Sequence, residues 1–200
     1  NDTATMAEDA APILINVLAN DSDEDGDSLA ISAASADIGS VSVVGNQIQY
    51  TPAPNENGLA TITYTVSDNN GGTNTATLTI TITAVNDAPV ANNDTATMAE
   101  DAAPILINVL ANDTDSDGDN LSITAASADS GSVSVVDNKL QYTPAANTNG
   151  IVVVSYTVDD GNNATDTGSL SITITPINDA PVASNQGFNI SENATDGDTI

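Results

Sequence analysis

The chain is 200 residues long and carries 28 acidic residues against one basic residue, Lys139, for a net charge of −27. Phosphate backbones and anionic headgroups are bound through Lys and Arg, so no nucleic acid and no membrane surface is a partner of this segment. Histidine and cysteine are absent, which removes disulfides, the usual catalytic bases and thiols, and the ligands that zinc and copper prefer.

"DTATMA" from Asp2 opens the chain with a short alternating strand, and "PILINVL" from Pro12 is an apolar run of strand length. "NDSDEDGD" follows. If extended, it would crowd Asp21, Asp23, Asp25 and Asp27 on one side of the backbone. "SLAIS", "GSVSVV" and "NQIQYTP" supply three more strands, the last with Ile48 and Tyr50 on one face. "ATITYTVS" aligns Ile62, Tyr64 and Val66, and "TATLTITIT" alternates threonine with Ala76, Leu78, Ile80 and Ile82. The connections "DEDGD", "ADIGS", "VGN", "PNENG" and "DNNGG" are all turn chemistry.

The pattern then starts again. "NDTATMAEDAAPILINVLAND" at Asn1 returns unchanged at Asn93, and "VNDAPVA" at Val85 returns as "INDAPVA" at Ile177, both after 92 residues. The chain reads as a stretch of a tandem array: repeat one over 1–87, repeat two over 88–179, and the first strand of a third over 180–200. No run of about 20 apolar residues and no targeting signal is visible; a signal or anchor would lie elsewhere in such an array. About seven short strands per repeat predict an all-β chain of tandem immunoglobulin-like β-sandwiches. Their core must be aliphatic, with one tyrosine pair per repeat (Tyr50 and Tyr64, Tyr142 and Tyr156). So thin a core under so much like charge would gain from a bound cation.

Asp21, Asp23 and Asp25 before Gly26 match the opening of an EF-hand loop, and Asp113, Asp115 and Asp117 before Gly118 repeat it, with Asp27 and Asp119 following. The all-oxygen set suits calcium, which takes six to eight ligands in irregular geometry. The glutamate that closes an EF-hand is replaced by Ser32 and Thr124, so further oxygens must come from elsewhere. Other groups recur with the period: Glu8 as Glu100 and Glu192, Asp68 as Asp160, and Asn86-Asp87 as Asn178-Asp179. Each alone reads equally as a solvated turn or strand end. Sandwich loops cluster at the two ends of the domain, where a boundary acid, a turn acid and an acidic loop can converge.

Together these residues resemble the cadherin-like tandem repeats of large bacterial surface adhesins. "VNDAPVA" is similar to the cadherin linker, "SEN" at Ser191–Asn193 and "AED" at Ala7 and Ala99 to its "PEN" motif, "DEDGD" and "DSDGD" to its "DxD" loop, and "VSDNNG" and "VDDGNN" to its "AxDxG" turn. The resemblance implies calcium between successive domains. It assigns Glu8, Asn86, Asp87, Asp115, Asp117 and Asp160 to the junction of repeats one and two. It assigns Asp23, Asp25 and Asp68 to the preceding junction, and Glu100, Asn178 and Asp179 to the next. Glu192 falls to a junction beyond. Asp21 and Asp113 are additional acids that would draw the site towards one domain. The expected function is a calcium-rigidified extracellular spacer at the bacterial cell surface, in an adhesin or biofilm matrix protein, whose partners are neighbouring repeats of the same chain. The alternative is a module that itself makes homophilic or ligand contacts. An enzyme is not expected, because the acids sit on turns without aromatic substrate walls.

Overall fold

The computed structural model describes residues 1–185. Phe188, Glu192, the Ser191–Asn193 motif and the strand expected to open a third repeat lie outside the described residues.

Repeat one contains β1 (Asp2–Ala7), β2 (Ile13–Ile15), β3 (Ala30–Ala36), β4 (Ser40–Val44), β5 (Gln47–Thr51), β6 (Gly58–Ser67) and β7 (Thr73–Thr83). Repeat two contains β8 (Asp94–Ala99), β9 (Ile105–Ile107), β10 (Ser122–Ala128), β11 (Ser132–Val136), β12 (Lys139–Thr143), β13 (Gly150–Asp159) and β14 (Thr165–Thr175). Each repeat has a four-stranded sheet, β1-β7-β6-β3 or β8-β14-β13-β10, and a three-stranded sheet, β2-β5-β4 or β9-β12-β11. The first strand of each repeat pairs in parallel with the last, Asp2 opposite Leu78 and Asp94 opposite Leu170.

The alternation explains the layering. Ala60, Ile62, Tyr64 and Val66 of β6 and Leu78, Ile80 and Ile82 of β7 point into the core, while Thr61, Thr63 and Thr81 face water. All four tyrosines are buried, and each hydroxyl has a partner. Tyr50 donates to the Ile38 carbonyl (3.1 Å), Tyr142 to that of Ser130 (3.1 Å) and Tyr64 to Asp2 Oδ2 (2.7 Å). Tyr156 donates to Asp94 Oδ2 (2.9 Å) and the Asn92 carbonyl (2.8 Å). A buried hydroxyl without a partner would cost about 1–3 kcal/mol.

Two local expectations are refined. The apolar run from Pro12 holds only three strand residues; Val17–Asn20 coil into a 3₁₀ turn that buries Val17. A short apolar run does not distinguish these conformations by period. The strand expected at "SLAIS" begins at Ala30 and continues to Ala36 through a bulge between Ile31 and Ala33. Its start is held from the next hairpin. Asn46 adopts φ 64°, accepts from the Ile31 amide at 2.8 Å and donates to the Leu29 carbonyl at 3.1 Å. Asn138 does the same for Ile123 and Leu121. This clamp fixes where the acidic loop ends and the strand begins.

The linker leaves β7 and docks on repeat two. Val90 pairs with Thr114 through two backbone bonds, 2.7 Å and 3.2 Å, and Pro89 is buried. Among the described residues no helix is long and apolar enough to cross a membrane.

Replacing Asn138 by Ala removes both clamp bonds and places a side chain poorly suited to φ 57°. The expected loss is about 2–4 kcal/mol of unfolding free energy, combining the orphaned Ile123 amide with left-handed strain. Asn138→Gly relieves the strain and should lose less. Denaturant unfolding of both variants checks the difference.

Candidate metal centre at the inter-repeat junction

The acidic loop is folded rather than extended. Asp115 Oδ1 accepts from the amides of Asp117 (2.9 Å) and Asp119 (3.1 Å), and Gly118 turns the chain at φ 77°. Asp23 holds Asp25 and Asp27 in the same way. The aspartates therefore do not crowd one side of a strand; they are distributed around a turn that leaves Asp115 Oδ2 buried without a partner.

Glu8 approaches from repeat one. Its amide donates to the Thr83 carbonyl and its Oε1 accepts from the Val85 amide at 2.6 Å, so the end of β1 is tied to the end of β7. Glu8 is only 3% exposed, and its Oε2 is buried with no partner. Asp87 contributes a third such atom, its Oδ2. Burial, followed by the charges of Asp9, Asp117, Glu8 and Asp115, holds the Asp87 carboxyl above its ordinary value. Those four acids and Asp87 thus form one electrostatic group drawn from three separate segments.

The linker contacts extend it. Asp87 donates its amide to Asp117 Oδ2 (2.7 Å), and the Asn86 side-chain amide donates to Asp160 Oδ2 (2.7 Å). That bond leads the causes that hold Asp160 below the usual carboxylate range. Asp160 is 4% exposed, and one oxygen from each of Asp115, Asp119 and Asp160 lies within 4.8 Å of the others. Asp23, Asp27 and Asp68 form the matching group in repeat one. Of the acids assigned to the preceding junction, Asp25 is exposed and outside that group. At the far end Glu100 Oε1 accepts from the Ile177 amide at 2.7 Å, while Asn178 and Asp179 are exposed.

Asp113 does not join the junction. Its Oδ1 accepts from the Asn92 amide at 2.7 Å, and its nearest like charges are Asp94 and Asp166, beside the Tyr156 hydroxyl. Asp21 occupies the equivalent place near Asp2 and Tyr64. Both lead into the loop from the 3₁₀ turn, bonded through their amides to Leu110 and Leu18, and so point to the core side of the acidic turn.

Orphaned carboxylate oxygens from different segments, with no cationic side chain among them, fit a divalent cation bound through oxygen. Calcium accepts six to eight such ligands at 2.3–2.6 Å. Asp115, Asp119 and Asp160 would hold it, with Glu8, Asp9, Asp87 and Asp117 alongside. Asp9 was not foreseen from the sequence. Its Oδ1 accepts from the Asn55 amide (3.1 Å), and the Asn55 side chain donates across the junction to Ser116 Oγ (2.7 Å).

A family model for the bacterial Ig domain matches residues 1–81 and again 86–173. The chain belongs to the bacterial Ig domain family. Among solved structures, this bacterial Ig pair is similar to domains EC22-24 of mouse cadherin-23 at 17% identity, covering 88% of this chain and 62% of that one with TM-score 0.54. It is similar to EC1-4 of Drosophila N-cadherin at 16% identity, covering 87% and 47% with TM-score 0.51. It is similar to EC1-2 of human mucin-like protocadherin at 17% identity, covering 88% and 96% with TM-score 0.50. At these identities the likeness shows the fold. No curated protein sequence matches the chain.

The pH response of this Ig pair in chelator follows from the carboxyls. Asp87, Asp94 and Asp113 lie above the ordinary value of 3.8, chiefly through burial, so proton uptake there favours the folded state. Stability should rise as pH falls from neutrality into their range. It should fall again below 3.8, as Asp160 and Asp166, both held low by hydrogen bonds, take up protons. Melting temperature against pH in chelator checks the maximum; a curve that only declines contradicts it.

Proposed function

We propose that this bacterial Ig pair is a calcium-ordered extracellular spacer of a surface adhesin or matrix protein, in which the ion replaces missing basic side chains where one sandwich meets the next. The observation that carries the reading is the Asp115, Asp119 and Asp160 group, whose oxygens lie within 4.8 Å of one another, with the buried, partnerless oxygens of Glu8 and Asp87 from the end of β1 and the linker at the same junction. On the four-stranded sheets the outward residues Thr61, Thr63, Thr81, Ser155 and Thr173 are exposed and polar, while Leu59, Ile151 and Val153, and on the three-stranded sheets Leu14, Val43, Val44, Leu106 and Val135, are exposed apolar side chains. Near-identical repeats support spacing over recognition. Neighbouring repeats are the partners, and the cell surface is the site of action.

Extracellular calcium modules bind with dissociation constants of about 10⁻⁴–10⁻³ M. A hundredfold excess of calcium over that constant adds about 2.7 kcal/mol per site to folded-state stability. X-ray scattering should give a longer, stiffer particle in calcium than in chelator, with a higher melting temperature. The Asp115→Ala, Asp117→Ala double variant should lose most of both gains. Identical profiles in the two buffers would return these acids to an ordinary solvated surface.

A further inference from the structure

Three Asn-Gly pairs fall among the described residues: Asn57-Gly58, Asn70-Gly71 and Asn149-Gly150. In this pair an asparagine side chain is at its most reactive, because glycine has no side chain to keep its backbone nitrogen away from the neighbouring amide carbon. The fold separates the three. Gly58 and Gly150 open β6 and β13 and are fixed in the ladder opposite Ile82 and Ile174. Asn149 also donates its side-chain amide to Glu100. Asn70-Gly71 instead lies in the exposed turn between β6 and β7. Asp68 Oδ1 accepts from the backbone amides of Asn70 (2.7 Å) and Gly72 (2.9 Å) and skips Gly71 between them, whose amide has no acceptor among the described residues. Gly71 adopts φ 107°, with nothing within 4 Å of where a Cβ would stand.

Repeat two has the same turn with one decisive difference. Asp160 Oδ1 accepts from the amides of Asn162 (2.7 Å) and Ala164 (3.1 Å) and again skips the residue between. That residue is Asn163, at φ 78°, so the nitrogen facing Asn162 is hindered by a side chain. Asn162 stays exposed although the linker is bonded to Asp160 beside it. Exposure at this turn therefore does not depend on an empty junction.

We propose that Asn70 is a site of self-modification, in which the Gly71 nitrogen attacks the Asn70 side-chain carbonyl carbon and the amide becomes a carboxylate. The new N–Cγ bond forms as the Cγ–Nδ2 bond breaks, and the Gly71 proton leaves with Nδ2 as ammonia. Water then opens the five-membered imide at either carbonyl, giving aspartate or its β-linked isomer. The product stands among acids. Asn70 Nδ2 donates to Asp27 Oδ2 at 2.7 Å, and Asp27 groups with Asp23 and Asp68. Deamidation replaces that donor by a further carboxylate, so a hydrogen bond becomes a repulsion that a cation relieves. In this last respect the inference rests on the calcium reading, since the charge of the ligand set tunes calcium affinity.

Incubation of the full chain at mildly alkaline pH, followed by cleavage with a glutamate-specific protease and tandem mass spectrometry, tests this. The exchange of NH2 for OH should appear first at Asn70, and at least about tenfold faster than at Asn57 or Asn149. A tenfold rate ratio is about 1.4 kcal/mol, the order of the one ladder hydrogen bond those sites must break beforehand. Asn163→Gly should carry the reaction to Asn162, and Asn70→Gln should abolish it in the repeat-one turn. An Asn70 that changes no faster than Asn57, or an Asn162 unmoved by Asn163→Gly, overturns the inference. Aged protein should melt below fresh protein in chelator, with a smaller drop in calcium; an equal drop in both buffers overturns the link to calcium. Calcium titration calorimetry on fresh protein separates the two readings. Calcium heat without a mass change at Asn70 removes the modification alone, and modification without calcium heat removes the calcium reading alone.

Discussion

Charge repulsion without an internal counter-charge is the constraint on which the junction depends. Glu8, Asp87 and Asp115 each bury an oxygen that accepts no hydrogen bond, and the chain holds a single lysine, exposed on β12. Two carboxylates about 4 Å apart repel by roughly 4 kcal/mol at a surface-like dielectric. The fold brings them together regardless, because hydrogen bonds at their other atoms fix their positions: Glu8 on Val85, Asp115 on the loop amides, Asp117 on the Asp87 amide. The backbone geometry is thus satisfied while the charge is not.

Repetition explains how one sequence can build this at every boundary. Each repeat supplies a buried glutamate at its exit end and an acidic turn at its entry end. The linker ties one to the next, with Asn86 on Asp160 and Val90 on Thr114. The exit of repeat two differs in one respect. Glu100 Oε2 accepts from the Asn149 side chain at 3.3 Å, whereas the equivalent oxygen of Glu8 has no partner.

Much of the architecture was legible because period-two alternation is strong in β6 and β7, where threonine alternates with Ile, Leu, Tyr and Val. The 3₁₀ turn at Val17–Asn20 was not, since four residues carry no period of their own. At the site, Glu8, Asp87, Asp115, Asp117 and Asp160 could be singled out through their 92-residue recurrence and resemblance to known motifs. Asp166 could not, because repeat one has Asn74 in its place and a filter based on recurrence discards it. Asp9 recurs as Asp101, but spacing alone gives it no role beside Glu8. Its proximity to Asp87 emerges only when the linker folds back. Asp113 shows the converse limit: spacing put it among the loop ligands, while the 3₁₀ turn before it aims it at Tyr156.

The parallel pairing of β1 with β7 runs in register from Asp2 opposite Leu78 to Ala7 opposite Thr83. Tension along the array enters a repeat at the start of β1 and leaves at the end of β7. These strands point the same way, so the pull slides one along the other and loads the rungs of the ladder in shear, all at once. Peeling them one by one would need the opposite strand direction. Each sandwich, pulled from its two ends, is thereby held by its own shear clamp.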